Sequence, residues 1–291
     1  MRRFAAIFIV FAALAGPVHA SEPGKIAIVA AENFYGEIAA QIGGDRVAVV
    51  SVLSNPDQDP HLFETAPSVV RQIADARLVI VNGAGYDPWM DKLMQAAPRP
   101  GRIVVNAAQL VGAKAGGNPH LWYAPTTMPT VAKAIAAALT QADHAHAADY
   151  DARLKTVLAQ LDRIAQRAAL IRAKHNGKPV TATEPVFGLM AEALGLTNRN
   201  DNFQLAMMND TEPSAKDVAT FEDDLKNHKV KALIYNKQVS EKLTLRMLDI
   251  AKKAKVPVVG VTETQPPNVS FADWMLGEMD ALDKALTGPN S

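Results

Sequence analysis

Four side chains carry the chemistry this sequence offers most openly: His61 in "DPHLFETAP", His120 in "NPHLWYAP", Glu184 in "ATEPVFG" and Glu263 in "GVTETQPP". The chain has seven histidines, and two of them share one Pro-His-Leu-aromatic setting. Two imidazoles and two carboxylates form a four-donor N/O set suited to a divalent ion such as zinc or manganese. Pro60, Pro119 and Pro185 adjoin three of the four and restrict the backbone there. A donor held in place loses less entropy when it captures a ligand. Each residue also has a plainer reading. A lone loop histidine is more often a hydrogen-bonded structural residue. Glu184 stands where a carboxylate favours a helix N-terminus, and Glu263 lies in a polar turn. The repeated context is what raises the two histidines above that reading. His144, His146, His175 and His228 sit in polar helix-end stretches and read as solvated. Asp57, Asp59, Glu64 and Asp87 read as turn or supporting groups, and Glu212 as a residue leading into a helix.

The elements around these residues alternate. "KIAIVAA" (25–31), "RVAVVSVL" (46–53), "RLVIVN" (77–82) and "RIVVN" (102–106) are short, β-branched and almost continuously apolar, the pattern of buried parallel strands. Helical patterns separate them at 33–42, 67–75 and 88–96, which implies a parallel sheet with helices on its faces. The second half repeats the scheme. Its strands are expected at "PVTAT" (179–183), "ALIYN" (232–236) and "VPVVGV" (256–261), with "FQLAMM" from Phe203 as a weaker fourth. Its helices are expected at 185–194, 214–227, 241–254 and 271–286. Between the halves, from 147 to about 174, there is neither proline nor glycine. Tyr150, Leu154, Val157, Leu161, Ile164, Ala168 and Ile171 step by four and three along one apolar stripe. That predicts a stiff helix roughly 40 Å long running across two lobes. A coiled-coil partner is the alternative, but the stripe lasts only about three heptads. The expected plan is therefore α/β: two lobes, each with a mainly parallel four-stranded sheet flanked by helices, joined by one long rigid helix. The boundaries are a leader at 1–20, lobes at 21–146 and 176–291, and the linking helix at 147–175. All four candidate donors then follow the carboxyl ends of parallel strands, two from each lobe, where open α/β sheets place ligand sites.

Arg2 and Arg3, the run "FAAIFIVFAALAG" and the small residues ending at Ala20 have the layout of a cleavable secretory signal peptide. The run is short for a membrane span. Its removal leaves 28 basic against 30 acidic side chains, with no basic stripe for nucleic acid. Cysteine is absent, which excludes disulfides, thiolate metal sites and a cysteine nucleophile. It also removes the residue that would carry a lipid, so the expectation is a protein of the periplasm that is not lipid-anchored. Aromatic content of 6% is low for the ring platforms of sugar receptors.

"DPHLFE", "ARLVIVNGAGYDPWM", "NPHLWYAP" and the Thr183-Glu184-Pro185 turn resemble the cluster A-I family of zinc and manganese solute-binding proteins of bacterial ABC importers. The likeness spans essentially the whole chain after the leader. It implies a receptor, not an enzyme, that holds Mn2+ or Zn2+ as cargo between its lobes. The ion would pass to an inner-membrane permease with its cytoplasmic ATPase, the receptor acting as a monomer. His61 and His120 match the family's two histidine loops, Glu184 its third donor and Glu263 its fourth. The fourth is usually aspartate, so Glu263 is a departure by one methylene. The chain also lacks the His- and acid-rich loop of many zinc members, having only "VGAKAGGN" there. Two carboxylates lean the expectation towards manganese, although zinc binds most N/O sites more tightly. The rival class is an exported metal-dependent hydrolase, with Glu184 or Glu263 as its base. No His-Glu-x-x-His or Gly-x-Ser-x-Gly pattern supports it. An extracellular adhesin is a third class, whose mark would be an exposed apolar patch.

Overall fold

The β-branched runs pair in parallel, and the central ones are mostly apolar and covered on both faces. A computed structural model describes residues 24–56, 66–114, 116–239 and 241–288. The expected leader and the loop carrying His61 lie outside them. In the first lobe the order along the chain is β1 (Ile26–Glu32), α1 (Asn33–Gly43), β2 (Val47–Leu53), α2 (Pro67–Asp75), β3 (Leu78–Val81), α3 (Pro88–Ala96), β4 (Ile103–Asn106), α4 (Ala107–Val111) and α5 (Thr127–Ala142). Helix α6 (Ala147–His175) follows. The second lobe runs β5 (Pro179–Ala182), α7 (Gly188–Ala193), β6 (Thr197–Arg199), α8 (Asp201–Met208), α9 (Ala215–Lys226), β7 (Leu233–Asn236), α10 (Lys242–Lys253), β8 (Val258–Val261) and α11 (Phe271–Thr287). The sheet orders, β2-β1-β3-β4 and β6-β5-β7-β8, are the same topology used twice, and every pairing is parallel.

One expected strand is not a strand. "FQLAMM" lies in α8, where Phe203, Gln204 and Met207 are buried at helical spacing. The fourth strand is the three-residue β6, "TNR", whose polar side chains give no apolar run to read. It forms because its backbone pairs with Pro179–Thr181 of β5.

Helix α6 has 29 residues and buries Tyr150, Val157, Leu161, Ile164, Ala168 and Ile171, the stripe its sequence shows. That stripe packs on α1 and α5 of the first lobe and on α11 of the second. His175 departs from expectation: it is buried, not solvated. Its Nε2 lies 2.7 Å from Asp283 Oδ1 on α11, and Asp283 Oδ2 accepts from Arg167 and Lys174 at 2.7 and 3.1 Å. Burial alone would raise the Asp283 carboxyl, but the hydrogen bonds from His175, Arg167 and Lys174 outweigh it and hold it far below the usual range. The end of α6 is thus an anchor on the second lobe, which a one-dimensional polar pattern does not reveal.

The lobes share one core. Phe34 of α1 packs on Trp122 at 4.7 Å and on Trp274 of α11 at 6.0 Å, and Tyr123 meets Phe187 of the second lobe at 5.3 Å. Polar ties reinforce the junction: the Asn33 side chain exchanges hydrogen bonds with the backbone of Gln265, and Glu37 accepts from Gln265 Nε2 and Phe271 N. Interiors packed this way resist gradual opening.

Glu278 of α11 lies in the same junction. Its carboxyl accepts from Thr262 N at 3.0 Å, Trp274 Nε1 at 2.9 Å and Tyr123 Oη at 2.8 Å. Burial pushes its pKa up to about 7 from an ordinary 4.5, despite those donors. Between these values the folded chain keeps a proton that the unfolded chain has lost. The stability from this group is therefore full below pH 4.5 and is lost as pH rises through about 7. Relative to Glu278→Gln, metal-free wild type should lose roughly 3 kcal/mol across that window. Denaturant melts of both proteins at pH 4 to 8 check this; parallel pH profiles would refute it.

Candidate metal centre

The strand ends that face each other between the lobes supply the site. His120 follows β4 in a loop that turns at once into a 3-10 helix, Leu121–Tyr123. All three residues of that turn are buried, which explains the apolar pair after the histidine: Leu121 and Trp122 fasten the loop into the core. The imidazole meets Tyr86 and Trp122 edge-on at 5.8 and 5.4 Å. Beneath it, Asn82 at the end of β3 donates to the Pro119 carbonyl at 2.8 Å and accepts from Tyr35 Oη at 2.8 Å. Asp87 holds that turn by accepting from the backbone N–H of Asn82 and Gly83. Burial lifts its pKa to about 6.

Asn118 sets the orientation of the ring. Its Nδ2 donates to the Pro185 carbonyl at 2.7 Å, across the lobe boundary. Its Oδ1 therefore faces back and accepts from His120 N and from His120 Nδ1 at 3.0 and 2.8 Å. With the proton on Nδ1, the Nε2 lone pair is the one directed into the cleft. Nε2 lies 3.3 Å from Oε2 of Glu263, and both side chains are almost wholly buried.

Glu263 is the most connected donor. Its Oε2 also accepts from Tyr86 Oη at 2.9 Å, and its Oε1 accepts from Asn236 Nδ2 at 2.6 Å. The same Nδ2 donates to Oε2 of Glu184 at 2.9 Å, so one amide holds both carboxylates of the second lobe. Asn236 is held in turn, its Oδ1 accepting from Gln238 N at 3.0 Å. Glu184 occupies the N-cap position of the turn Pro185–Phe187, yet its side chain makes no capping bond there. Its carboxylate points to Asn236 instead. The structure thus sets His120 against Glu263 and ties Glu184 to Glu263 through Asn236, while His61 falls outside the described residues. Among the described residues no three histidine or acidic side chains close on a single point.

The donor chemistry fits a divalent ion. Two donors each about 2.1 Å from an ion, at a tetrahedral angle, stand about 3.4 Å apart. The separation between His120 Nε2 and Glu263 Oε2 is 3.3 Å. A cation entering there would meet an imidazole whose outer nitrogen is engaged and carboxylates already steered by neutral donors.

Sequence reasoning passed over three residues that shape this site: Asn236, Tyr86 and Asn118. A signal existed for the first, because "IVN" and "IYN" both end a buried strand in asparagine, at Asn82 and Asn236. Both are almost fully buried, and both position a neighbouring donor loop.

Comparison with known proteins gives the same architecture. The profile of the family described as "ZnuA: Zinc-uptake complex component A periplasmic" matches residues 28–285. The chain is 25% identical to a putative metal-binding protein of Treponema pallidum, covering 94% of this chain and 91% of that one. It is 23% identical to the manganese ABC transporter substrate-binding lipoprotein PsaA of Streptococcus mitis, over 97% and 96% of the two chains. Among solved structures, the periplasmic zinc-binding protein TroA of Treponema pallidum superposes with a TM-score of 0.74 at 18% identity, over 90% of this chain and 99% of that one. That likeness carries the fold: two parallel sheets joined by a long helix. The name of the streptococcal relative corrects one expectation, that of a receptor without a lipid anchor. That expectation rested on the absence of cysteine, and the lipoprotein name of this relative runs against it. With a profile match across nearly the entire length and this site between the lobes, the chain belongs to the ZnuA family of metal-uptake components, the substrate-binding proteins of ABC importers.

Proposed function

We propose that this chain captures Mn2+ or Zn2+ between its lobes through His61, His120, Glu184 and Glu263 and hands the ion to an ABC permease coupled to a cytoplasmic ATPase. It works as a monomer in this reading. The observation that carries it is the pairing of His120 Nε2 with Glu263 Oε2 across the lobe boundary, with Asn236 tying Glu184 to the same carboxylate. His61 joins the set by its shared Pro-His-Leu-aromatic setting. The names of relatives support both ions, manganese for PsaA and zinc for TroA. The carboxylate pair, with glutamate at the fourth position, favours manganese as cargo, with selection by availability more than by raw affinity. The cross-lobe core supports small lobe movements on loading. Nothing in the fold or the comparisons favours the hydrolase.

Metal analysis of the protein purified without added ions, followed by chelator competition with Mn2+ and Zn2+, tests the reading. One equivalent of bound ion is expected, with affinity falling as pH drops and the imidazoles protonate. A protein that binds neither ion would overturn it.

A further inference from the structure

One buried acid has no role in the site so far described. Glu32 ends β1, the strand between β2 and β3 in the first sheet, and its residue is 2% exposed. Among the described residues neither of its carboxylate oxygens has a hydrogen-bond partner. Burial is the main force that pushes its pKa well up, and the charge of Asp87 adds to it. The carboxyl adjoins the metal cleft: the Tyr86 hydroxyl, bonded to Glu263, feels the charges of both Glu263 and Glu32. The Tyr35 hydroxyl, which holds Asn82 beneath the His120 loop, feels Glu32 as well.

We propose that Glu32 is a further oxygen donor to the bound cation, reaching the cleft from the end of β1 as Glu184 does from the end of β5. The inference rests on the metal-receptor reading above. An ionised carboxylate this deep needs a compensating charge, and the charge that acts on it, that of Asp87, is another acid's. A protonated carboxyl needs an acceptor for its O–H, and none is engaged among the described residues. Beyond a weak pull from its own backbone N–H, nothing among the described residues satisfies this group in either form, whereas a divalent ion would. A group whose only role was to brace the fold would be bonded, as Asp87 and Glu278 are. The two sheets share one topology, and in the second each of β5, β7 and β8 delivers a polar side chain to the cleft at or just beyond its end. Glu32 is the matching delivery from β1. An added oxygen raises the coordination number beyond four, which suits manganese better than zinc.

The test uses full-length wild type, Glu32→Gln, Glu32→Met as an apolar variant of similar length, and His120→Ala as a reference. Mn2+ and Zn2+ affinities come from chelator competition, and metal-free stability from thermal melts. Both Glu32 variants should bind Mn2+ about tenfold or more weakly, with a smaller loss for Zn2+. Their metal-free melting temperatures should equal or exceed that of wild type, because an unsatisfied buried acid has been removed. Affinities within twofold of wild type for both ions would overturn the proposal. So would losses matched by a fall in metal-free stability, the signature of a structural carboxyl. If His120→Ala binds both ions as wild type does, the metal-site reading fails by a separate result.

Discussion

His120→Ala should weaken binding of Mn2+ or Zn2+ by at least about 100-fold. Loss of a group that merely orients a ligand already reduces affinity by about 10- to 100-fold, and His120 is assigned as a ligand itself. The structure makes the substitution informative because the imidazole cannot be replaced by a neighbour. Its Nδ1 is bound to Asn118, its ring lies between Tyr86 and Trp122, and its Nε2 alone faces Glu263. The metal-free variant should still unfold in one cooperative step, since the Leu121–Tyr123 turn that fastens the loop remains. Chelator competition reads the affinity and a thermal melt reads the fold. A variant that holds the ion as wild type does would remove His120 from the ligand set.

Asn236→Ala should act on both stability and binding. In wild type one Nδ2 lies 2.9 Å from a Glu184 oxygen and 2.6 Å from a Glu263 oxygen. Alanine leaves two buried carboxylates without that donor and without the dipole that offsets their mutual repulsion. Leaving buried acceptors unsatisfied costs about 1–3 kcal/mol, so the metal-free protein should lose roughly 2 kcal/mol. Affinity should fall by about 10- to 100-fold, as for other groups that orient a ligand. Added metal should then raise the melting temperature of the variant, because the cation supplies the neutralisation that the amide no longer gives. A variant with unchanged metal-free stability and unchanged affinity would show that Asn236 does not organise the carboxylates.

Much of the architecture was legible because it is written in local periodicity. Short, mostly apolar runs marked seven of the eight strands, and a stripe stepping by four and three marked α6. Strand β6 escaped because "TNR" forms through backbone pairing, not through apolar side chains. His175 and Asp283 are 108 positions apart, so no local polar pattern could announce their contact. Glu263 shows the same limit within the site. In sequence it is an acid in a polar turn, and only folding places Tyr86, His120 and Asn236 around it.

Residue types and strand order by themselves determined that two histidine loops and two acidic turns follow the carboxyl ends of parallel strands, on either side of a stiff helix. Tertiary structure alone decided which nitrogen of His120 is presented, that one asparagine gathers both acids of the second lobe, and that Glu32 is buried beside the cleft with no hydrogen-bond partner among the described residues. The reason is physical: a strand end determines where a side chain starts, but its partner, its proton and its exposure depend on groups from distant segments. Those groups meet only when the two lobes close over a shared core.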